Sequence, residues 1–328
     1  VSEKEIIFEE YKASDHDAFV ACINDFYRGG YPYPQYLDKN DIQELLASGD
    51  LIITVARCDG KIVGTSAAQR LRGMFEGSVL LLLRSVLEEM QRKGIGTRQE
   101  YYLLSLVRER FPEALSLYAD VMTHSSASQK TMLRQGFVLC GLRLMLYKNE
   151  LIVPKLNYGI GTKMTQAVYC KSTGEGSVML FAPEEHREFI AGIYGALGTK
   201  CAFVEGDRDT GVSFSVKDKA VHQSIELKVD NGTQALDELC DTLNAYFDKG
   251  YTAVVYLNML NPNCETVYRR LTEMNFYFSG VKPLSEKGEY LLMAQTDNCV
   301  NSFEDIQLPE EEKEILNYIL RRRNIWKK

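Results

Sequence analysis

Hydrophobic positions in the first half of the chain follow two rhythms. Apolar runs at Ile6 to Tyr11, Leu51 to Arg57, Ile62 to Leu71, Val79 to Leu83, Leu115 to Thr123 and Phe137 to Tyr147 have the length and composition of strands. Elsewhere apolar residues recur at helical spacing: Phe19, Val20 and Ile23 after the cap signal Ser14-Asp15, and Tyr101, Leu104, Val107 and Phe111 further on. Lys39 to Ser48 and the segment opening at His124 and reaching Gln135 read as shorter helices. Gly29-Gly30 stops the first helix, Asp59-Gly60 marks a hairpin, and Gly136-Phe137 closes the last helix and opens a strand. The order is strand, helix, helix, three strands, helix, strand, helix, strand. It predicts a mixed α/β fold.

One stretch changes this picture from architecture to chemistry. After the run Val79 to Leu83 comes Ser85-Val86, then Gln91-Arg92-Lys93-Gly94-Ile95-Gly96-Thr97, then the helical pattern from Arg98 to Arg110. Glycines where a strand hands over to a helix let successive N–H groups turn toward one point. The helix N-terminus adds unpaired donors and the positive end of its dipole. Such a corner suits an anion, most naturally a pyrophosphate. A dinucleotide fingerprint fits less well, because Gln99 stands where a third glycine belongs, and no Gly-Lys-Ser/Thr follows to make a Walker loop.

The chain has 328 residues, enough for two domains, with 45% hydrophobic and 25% charged residues. A net charge of −7 argues against nucleic acid as a partner. No apolar run reaches the roughly 20 residues of a membrane span, and no basic-then-apolar leader opens the sequence. Eight scattered cysteines without a Cys-x-x-Cys, and four scattered histidines, predict free thiols in a reducing cytoplasm and no metal site. The oligomeric state stays open.

The string Gln91 to Thr97 resembles the Gln/Arg-x-x-Gly-x-Gly signature of the GNAT superfamily of N-acetyltransferases. The short helix ending in Gly136-Phe137 before a strand resembles that family's second hallmark. The resemblance implies a mostly antiparallel twisted sheet flanked by helices. It implies acetyl-coenzyme A as co-substrate and a primary amine as acceptor. It places the coenzyme against Ser85, Val86, Gln91, Arg92, Lys93, Gly94, Ile95, Gly96, Thr97, Ser125 and Ser128. Backbone amides at Ser85 and Val86 would polarise the thioester carbonyl. Glu88 and His124 are the candidates for proton removal from the amine, with Glu76 and Asp120 behind them. The position at which many members carry an acid tyrosine is Met132, which has no proton to give. The loop Tyr31 to Tyr36 either lies over the acceptor side or is packed by its own tyrosines.

The second half repeats the first at an offset of 139, which puts Phe137 on Phe276, Leu104 on Leu243 and Val86 on Ile225. Tyr251 to Pro283 then repeats the strand-helix-strand of Leu115 to Arg143. The loop Gln91 to Gly96 falls on Asp230 to Ala235, where both signature glycines are missing and Asp230 adds a negative charge. The expectation is two domains: 1–172 with an intact acetyl-coenzyme A loop, and 173–328 a degenerate GNAT-like copy ending in an amphipathic helix from Pro309 to Lys328. Gly159 to Lys163 reads as a turn. The function expected is acyl transfer to an amine; the alternative is a non-catalytic acetyl-coenzyme A sensor or a regulatory interaction protein.

Overall fold

The computed structural model describes residues 5–124, 126–152, 161–206, 211–300 and 303–326. In chain order the elements are β1 (Ile6–Glu10), α1 (His16–Tyr27), α2 (Lys39–Ala47), β2 (Leu51–Cys58), β3 (Lys61–Arg70), β4 (Ser78–Val86), α3 (Ile95–Arg110), β5 (Ser116–Met122), α4 (Ser126–Arg134), β6 (Val138–Lys148) and the single turn α5 (Asn149–Ile152). Then come β7 (Lys163–Ser172), β8 (Gly176–Leu180), α6 (Arg187–Ala196), β9 (Thr199–Phe203), β10 (Gly211–Lys219), β11 (Ser224–Gly232), α7 (Leu236–Phe247), β12 (Thr252–Asn258), α8 (Cys264–Glu273), β13 (Tyr277–Ser285), β14 (Gly288–Gln295) and α9 (Lys313–Trp326). The fold is mixed α/β, with mostly antiparallel sheet flanked by helices. No helix among the described residues is long and apolar enough to cross a membrane.

Contacts divide the chain into two compact units. One holds the described residues up to Tyr118 together with Asn149–Ile152; the other holds Ala119–Lys148 and the described residues from Gly161 onward. In the first unit β1, β2, β3 and β4 are neighbours in that order and all antiparallel. The sequence LIITVARC of β2 is buried on both faces, as its near-continuous apolar run requires. Ile53 and Val55 pack against Phe19, Cys22 and Ile23 of α1 and Ile42 of α2. Ala56 and Cys58 pack instead with Ile95 of α3. Side chains alternate across a strand, so one strand serves two helical layers. Asp59 and Gly60 both take positive φ, 50° and 75°, the geometry a two-residue hairpin needs. Asp38 caps α2 by accepting from the N–H groups of Asn40 and Asp41 at 2.8 and 3.1 Å. Arg28 in the left-handed region, followed by Gly29, ends α1.

In the second unit the strand order is β7-β6-β13-β14-β12-β11-β10. Pairing is antiparallel except between β11 and β12, which α7 connects as a crossover. β6 and β13 pair antiparallel, with Gly141 opposite Gly280. A Cβ on Gly280 would overlap Gly141 and sit 2.6 Å from the Cys140 carbonyl oxygen, and its φ is 125°. Only glycine fits there. β8 and β9 form a separate parallel pair. A single helix, α6, links them, and one crossover returns the chain parallel. The C-terminal helix begins at Lys313 rather than Pro309, and buries Ile315 and Ile319.

At the offset of 139 some residues fall on elements of the same type and others do not. Gly280 lies 139 residues after Gly141, and the two are partners. At β11 the register slips. Asp230, Asn231 and Gly232 are still in the strand, so they do not correspond to the loop after β4. Only residues 233–235 separate β11 from α7, whereas residues 87–94 separate β4 from α3. Asp230 is neutralised in place by Lys228 at 2.7 Å and accepts from Asn258 at 2.8 Å. Of the expected turn Gly159 to Lys163, residues 159 and 160 lie outside the described residues, and Lys163 opens β7.

Candidate functional site

The loop between β4 and α3 is built around one buried side chain. Ile95 sits among Ala56, Cys58 and Val63, with Val86, Leu87 and Met90 beside it. Burying Ile95 fixes the α3 start and leaves the backbone on either side at the surface. Glu88–Met90 forms a 3₁₀ turn, Gln91 is extended, and Arg92 has φ 62°. Gly94 follows at φ 71°, ψ 8° as the residue before the helix. Left-handed residues interleaved with right-handed ones are what turns successive N–H groups to a common point. Gly94 carries no side chain to cap α3. The first internal bond of α3 runs from Arg98 N–H to Gly94 O at 3.1 Å. The N–H groups of Ile95, Gly96 and Thr97 therefore precede the helical ladder and are available to an anion. The helix behind them has 16 residues.

The loop is tied shut from within. Gln91 Nε2 donates to Val86 O at 3.2 Å, bridging the end of β4 to the middle of the loop. The Glu88 N–H donates to Asp25 Oδ2 at 3.0 Å, which fastens the 3₁₀ turn to α1. Arg92 and Lys93 stand exposed on the loop. Of the predicted residues, Ser85, Val86, Glu88 and Gln91 to Thr97 are thus brought together in the first unit. The Ser85 hydroxyl donates to Cys22 O at 3.1 Å, so its contribution to a ligand would come from its backbone. Glu88 is exposed at the start of the 3₁₀ turn.

His124 and Ser128 lie in the second unit, after β5 and on α4; Ser125 lies outside the described residues. His124 is half-buried, and burial holds its imidazole below the ordinary 6.5. It is neutral at pH 7 and able to accept a proton. Ser128 is exposed on α4, and Met132 is fully buried on the same helix. Asp120 is committed elsewhere. Its Oδ2 takes a bond of 2.8 Å from Arg143, which also binds Glu226 and Gln166. Glu76 follows a 3₁₀ turn before β4.

Two further features were not anticipated, and one open alternative is answered in part. β4 carries a bulge, with Leu83 at φ 56°, and the Leu83 N–H is donated to the Tyr31 hydroxyl at 3.2 Å. An apolar run of leucines gives no sign of it. The tyrosine loop packs on itself, one of the two arrangements expected for it: ring centroids step from Tyr27 to Tyr31 at 4.9 Å, to Tyr33 at 6.0 Å and to Tyr36 at 6.2 Å. Burial raises the Tyr31 phenol far above its ordinary value. Finally, Gln99 and Glu100 of α3 are fully buried against β2 and β3. Gln99 Nε2 donates to Thr54 O at 3.1 Å, and Glu100 accepts from the Ser66 hydroxyl at 3.1 Å. Burial raises the Glu100 carboxyl. Among the described residues no group of three or more His, Cys, Asp or Glu is placed to hold a metal ion.

A strand-to-helix corner with open N–H groups, preceded by a bulged strand, is a geometry that suits an anion. Residues 16–137 match the family model described as Acetyltransferase (GNAT) family. The match runs from the start of α1 to just past the end of α4, well under half of the 328 residues. Among solved structures, it is similar to a ribosomal-protein-alanine N-acetyltransferase from Brucella melitensis, at 20% identity over 51% of this chain and 99% of that one, with a TM-score of 0.38. It is similar to a ribosomal-protein-S5-alanine acetyltransferase from Vibrio fischeri, at 16% identity over 52% and 95%, TM-score 0.41. It is also similar to a PaiA N-acetyltransferase from Thermoplasma acidophilum in complex with coenzyme A, at 12% identity over 51% and 99%, TM-score 0.38. No curated protein matches the chain.

Proposed function

We propose that this protein is an acyl-coenzyme A-dependent N-acyltransferase that moves acetyl from acetyl-coenzyme A to a primary amine. The observation that carries the reading is the loop Gln91 to Thr97. It feeds the open N-terminus of a long helix, with left-handed residues at Arg92 and Gly94 and no capping side chain. The pyrophosphate is bound there by the N–H groups of Ile95, Gly96 and Thr97, with Arg92 and Lys93 supplying positive charge. Ser85 and Val86 present backbone groups to the thioester carbonyl, and Ser125 and Ser128 are further candidates for contact with the coenzyme. His124, kept neutral by burial, takes the proton from the attacking amine, with Glu88 as the second candidate. The coenzyme A thiolate leaves without an acid, because Met132 has no proton and a thiol of pKa about 8.5 is a tolerable leaving group. A reducing cytoplasmic setting is part of the proposal and rests on the scattered spacing of the eight cysteines.

In this reading residues 1–172 do the chemistry and 173–328 are a degenerate copy. The element order β10, β11, α7, β12, α8, β13, β14 repeats β3, β4, α3, β5, α4, β6, β7. In the repeat the loop is cut to residues 233–235, too short for an anion nest. β11 and β12 also stay paired from Ser224↔Thr252 to Val229↔Leu257, leaving no splay for a thioester. One coenzyme A should therefore bind per chain. Calorimetry with acetyl-coenzyme A, followed by an acyl-transfer assay over a panel of primary amines, tests the proposal. Binding with transfer supports the enzyme. Binding with no transfer to any amine supports the sensor reading, which Met132 in place of an acid favours. No binding removes both.

A further inference from the structure

The segment before α9 is fastened to the turn that carries His124. Gln307 uses its main chain in both directions. Its N–H donates to Thr123 O at 2.9 Å, and its carbonyl accepts from Gln129 Nε2 at 2.7 Å. Thr123 is the residue before His124, and Gln129 is the residue after Ser128. The two contacts therefore bracket both. On its other side Thr123 is held by Thr165 of β7, with N–H and hydroxyl donating to the same carbonyl at 3.1 and 3.0 Å. Tyr169 of β7 completes the set. Its hydroxyl lies 3.4 Å from Gln129 Oε1 and donates to the Glu312 carboxylate.

The strap has a firm root. Ile306 and Leu308 are buried on either side of Gln307, whose own side chain is exposed. Beyond them, Tyr318 of α9 stacks on Phe189 with centroids 4.0 Å apart, and its hydroxyl bonds the Nδ1 of the fully buried His186 at 2.8 Å. Arg322 donates to Glu185 O at 3.0 Å. A helix anchored this well transmits its position to Gln307 rather than yielding to it.

We propose that residues 306–312 are a clamp that sets the position of His124 and Ser128, with Gln129 as a positioning residue for acyl transfer. The proposal rests on the reading of that turn as part of the transfer site. The physical reason is geometric. α4 has only 9 residues and begins directly at this turn. A short helix does not hold a proton acceptor to the tolerance that transfer demands, and a small misplacement is costly in rate. The clamp pins the first residue of the turn and the first turn of α4 through groups from a distant part of the chain.

Two full-length variants test it. Gln129→Met keeps the volume and removes both side-chain contacts; Gln307→Pro removes the N–H donated to Thr123. Each is measured for thermal stability, coenzyme A affinity, kcat, KM for acetyl-coenzyme A, and amide exchange across Ser126–Arg134. The clamp predicts a fall in kcat of about tenfold or more, with KM shifted less than about threefold. It also predicts exchange across α4 faster by about tenfold or more in both folded variants. A kcat within twofold of the unaltered chain, or unchanged exchange in α4, overturns it. If the unaltered chain transfers acetyl to no amine, the transferase reading is what fails, and the exchange measurement alone then decides whether the tail holds the turn.

Discussion

Replacing Gly96 with glutamate separates folding from binding, because the two should move in opposite directions. Gly96 is the second residue of α3, and its φ is not in the left-handed region. A Cβ there meets only Val86 Cγ2, at 3.6 Å, an ordinary contact. Glycine inside a helix costs about 0.5–1 kcal/mol relative to alanine, and an acidic residue in the first turn adds a favourable dipole term. The folded state should therefore be unharmed or slightly strengthened. Binding should collapse. A carboxylate about 5 Å from a phosphate oxygen, at an effective dielectric constant of about 20, opposes it by about 3 kcal/mol. That is roughly 100-fold in Kd. Urea denaturation reads the first effect and calorimetry with coenzyme A the second. Acetylpantetheine, which lacks the pyrophosphate, should be used by Gly96→Glu as well as by the unaltered chain. Gly94 offers the contrast: nothing lies within 4 Å of its Cβ position, but its φ of 71° makes alanine strained by about 1 kcal/mol. A folded Gly96→Glu chain that binds coenzyme A within twofold of the unaltered protein would refute the assignment of the loop.

Gly280→Ala should lose about 3 kcal/mol or more, from left-handed strain plus overlap with Gly141 and the Cys140 carbonyl; a urea midpoint unchanged in the variant would show that β6 and β13 do not meet this closely. Burial raises the Glu289 carboxyl from 4.5 to about 7, against the hydrogen bonds it accepts from Tyr194 at 2.5 Å and the Leu284 N–H at 2.7 Å. The folded state keeps a proton that the unfolded chain releases, so this contribution is whole below pH 4.5 and is lost as pH rises through about 7, by about 3 kcal/mol. Glu289→Gln should remove that loss, and equal pH dependence of stability in both chains would count against the buried carboxyl. Because burial lowers His124 below 6.5, the acid limb of kcat/KM should also fall below 6.5; a limb above 7 would point to another base.

The parts of the site that depend on local chemistry were legible in the sequence. Asp59-Gly60 specifies a hairpin through φ, and Gly94-Ile95-Gly96 specifies a strand-to-helix corner, because glycine's conformational range is a property of the residue alone. What was not legible depends on distant groups. Leu83 takes a left-handed conformation because a bulge and the Tyr31 hydroxyl stabilise it, and leucine itself carries no such signal. Gln99 and Glu100 look like solvent-facing helix residues, yet Thr54 and Ser66 lie opposite to receive them. The proposed offset of 139 joins Gly141 and Gly280, which are β partners. At β11 it does not match the elements, because the link to α7 is shorter than the loop before α3 and a fixed offset cannot follow a change in loop length. Gln307 reaching Thr123 and Gln129 could not be read at all, since nothing in a main-chain contact of such long range leaves a motif.

The meeting of Gly141 and Gly280 bears on the proposed duplication more directly than the similarity of element order does. Two copies of one strand that pair antiparallel place equivalent residues opposite each other only at a two-fold axis. Gly141 and Gly280 are equivalent at the offset of 139, and they are the partners recorded between β6 and β13. Arg143 and Lys282 share the same offset and are both buried. Each approaches Asp120, at 2.8 and 3.8 Å, and Arg143 also binds Glu226. If the duplication holds, one cationic position of the repeat is kept in both copies, and the two cations approach one carboxylate, Asp120. Removing one member of such a buried set leaves its partners uncompensated, at a cost of about 3–5 kcal/mol. A sequence can lose its phosphate loop freely once another copy supplies binding, but it cannot lose these residues without losing the join. The proposed copy would then keep its shape for the sake of the β6–β13 contact, and its retained glycine and buried cation are the residues that such a history leaves behind.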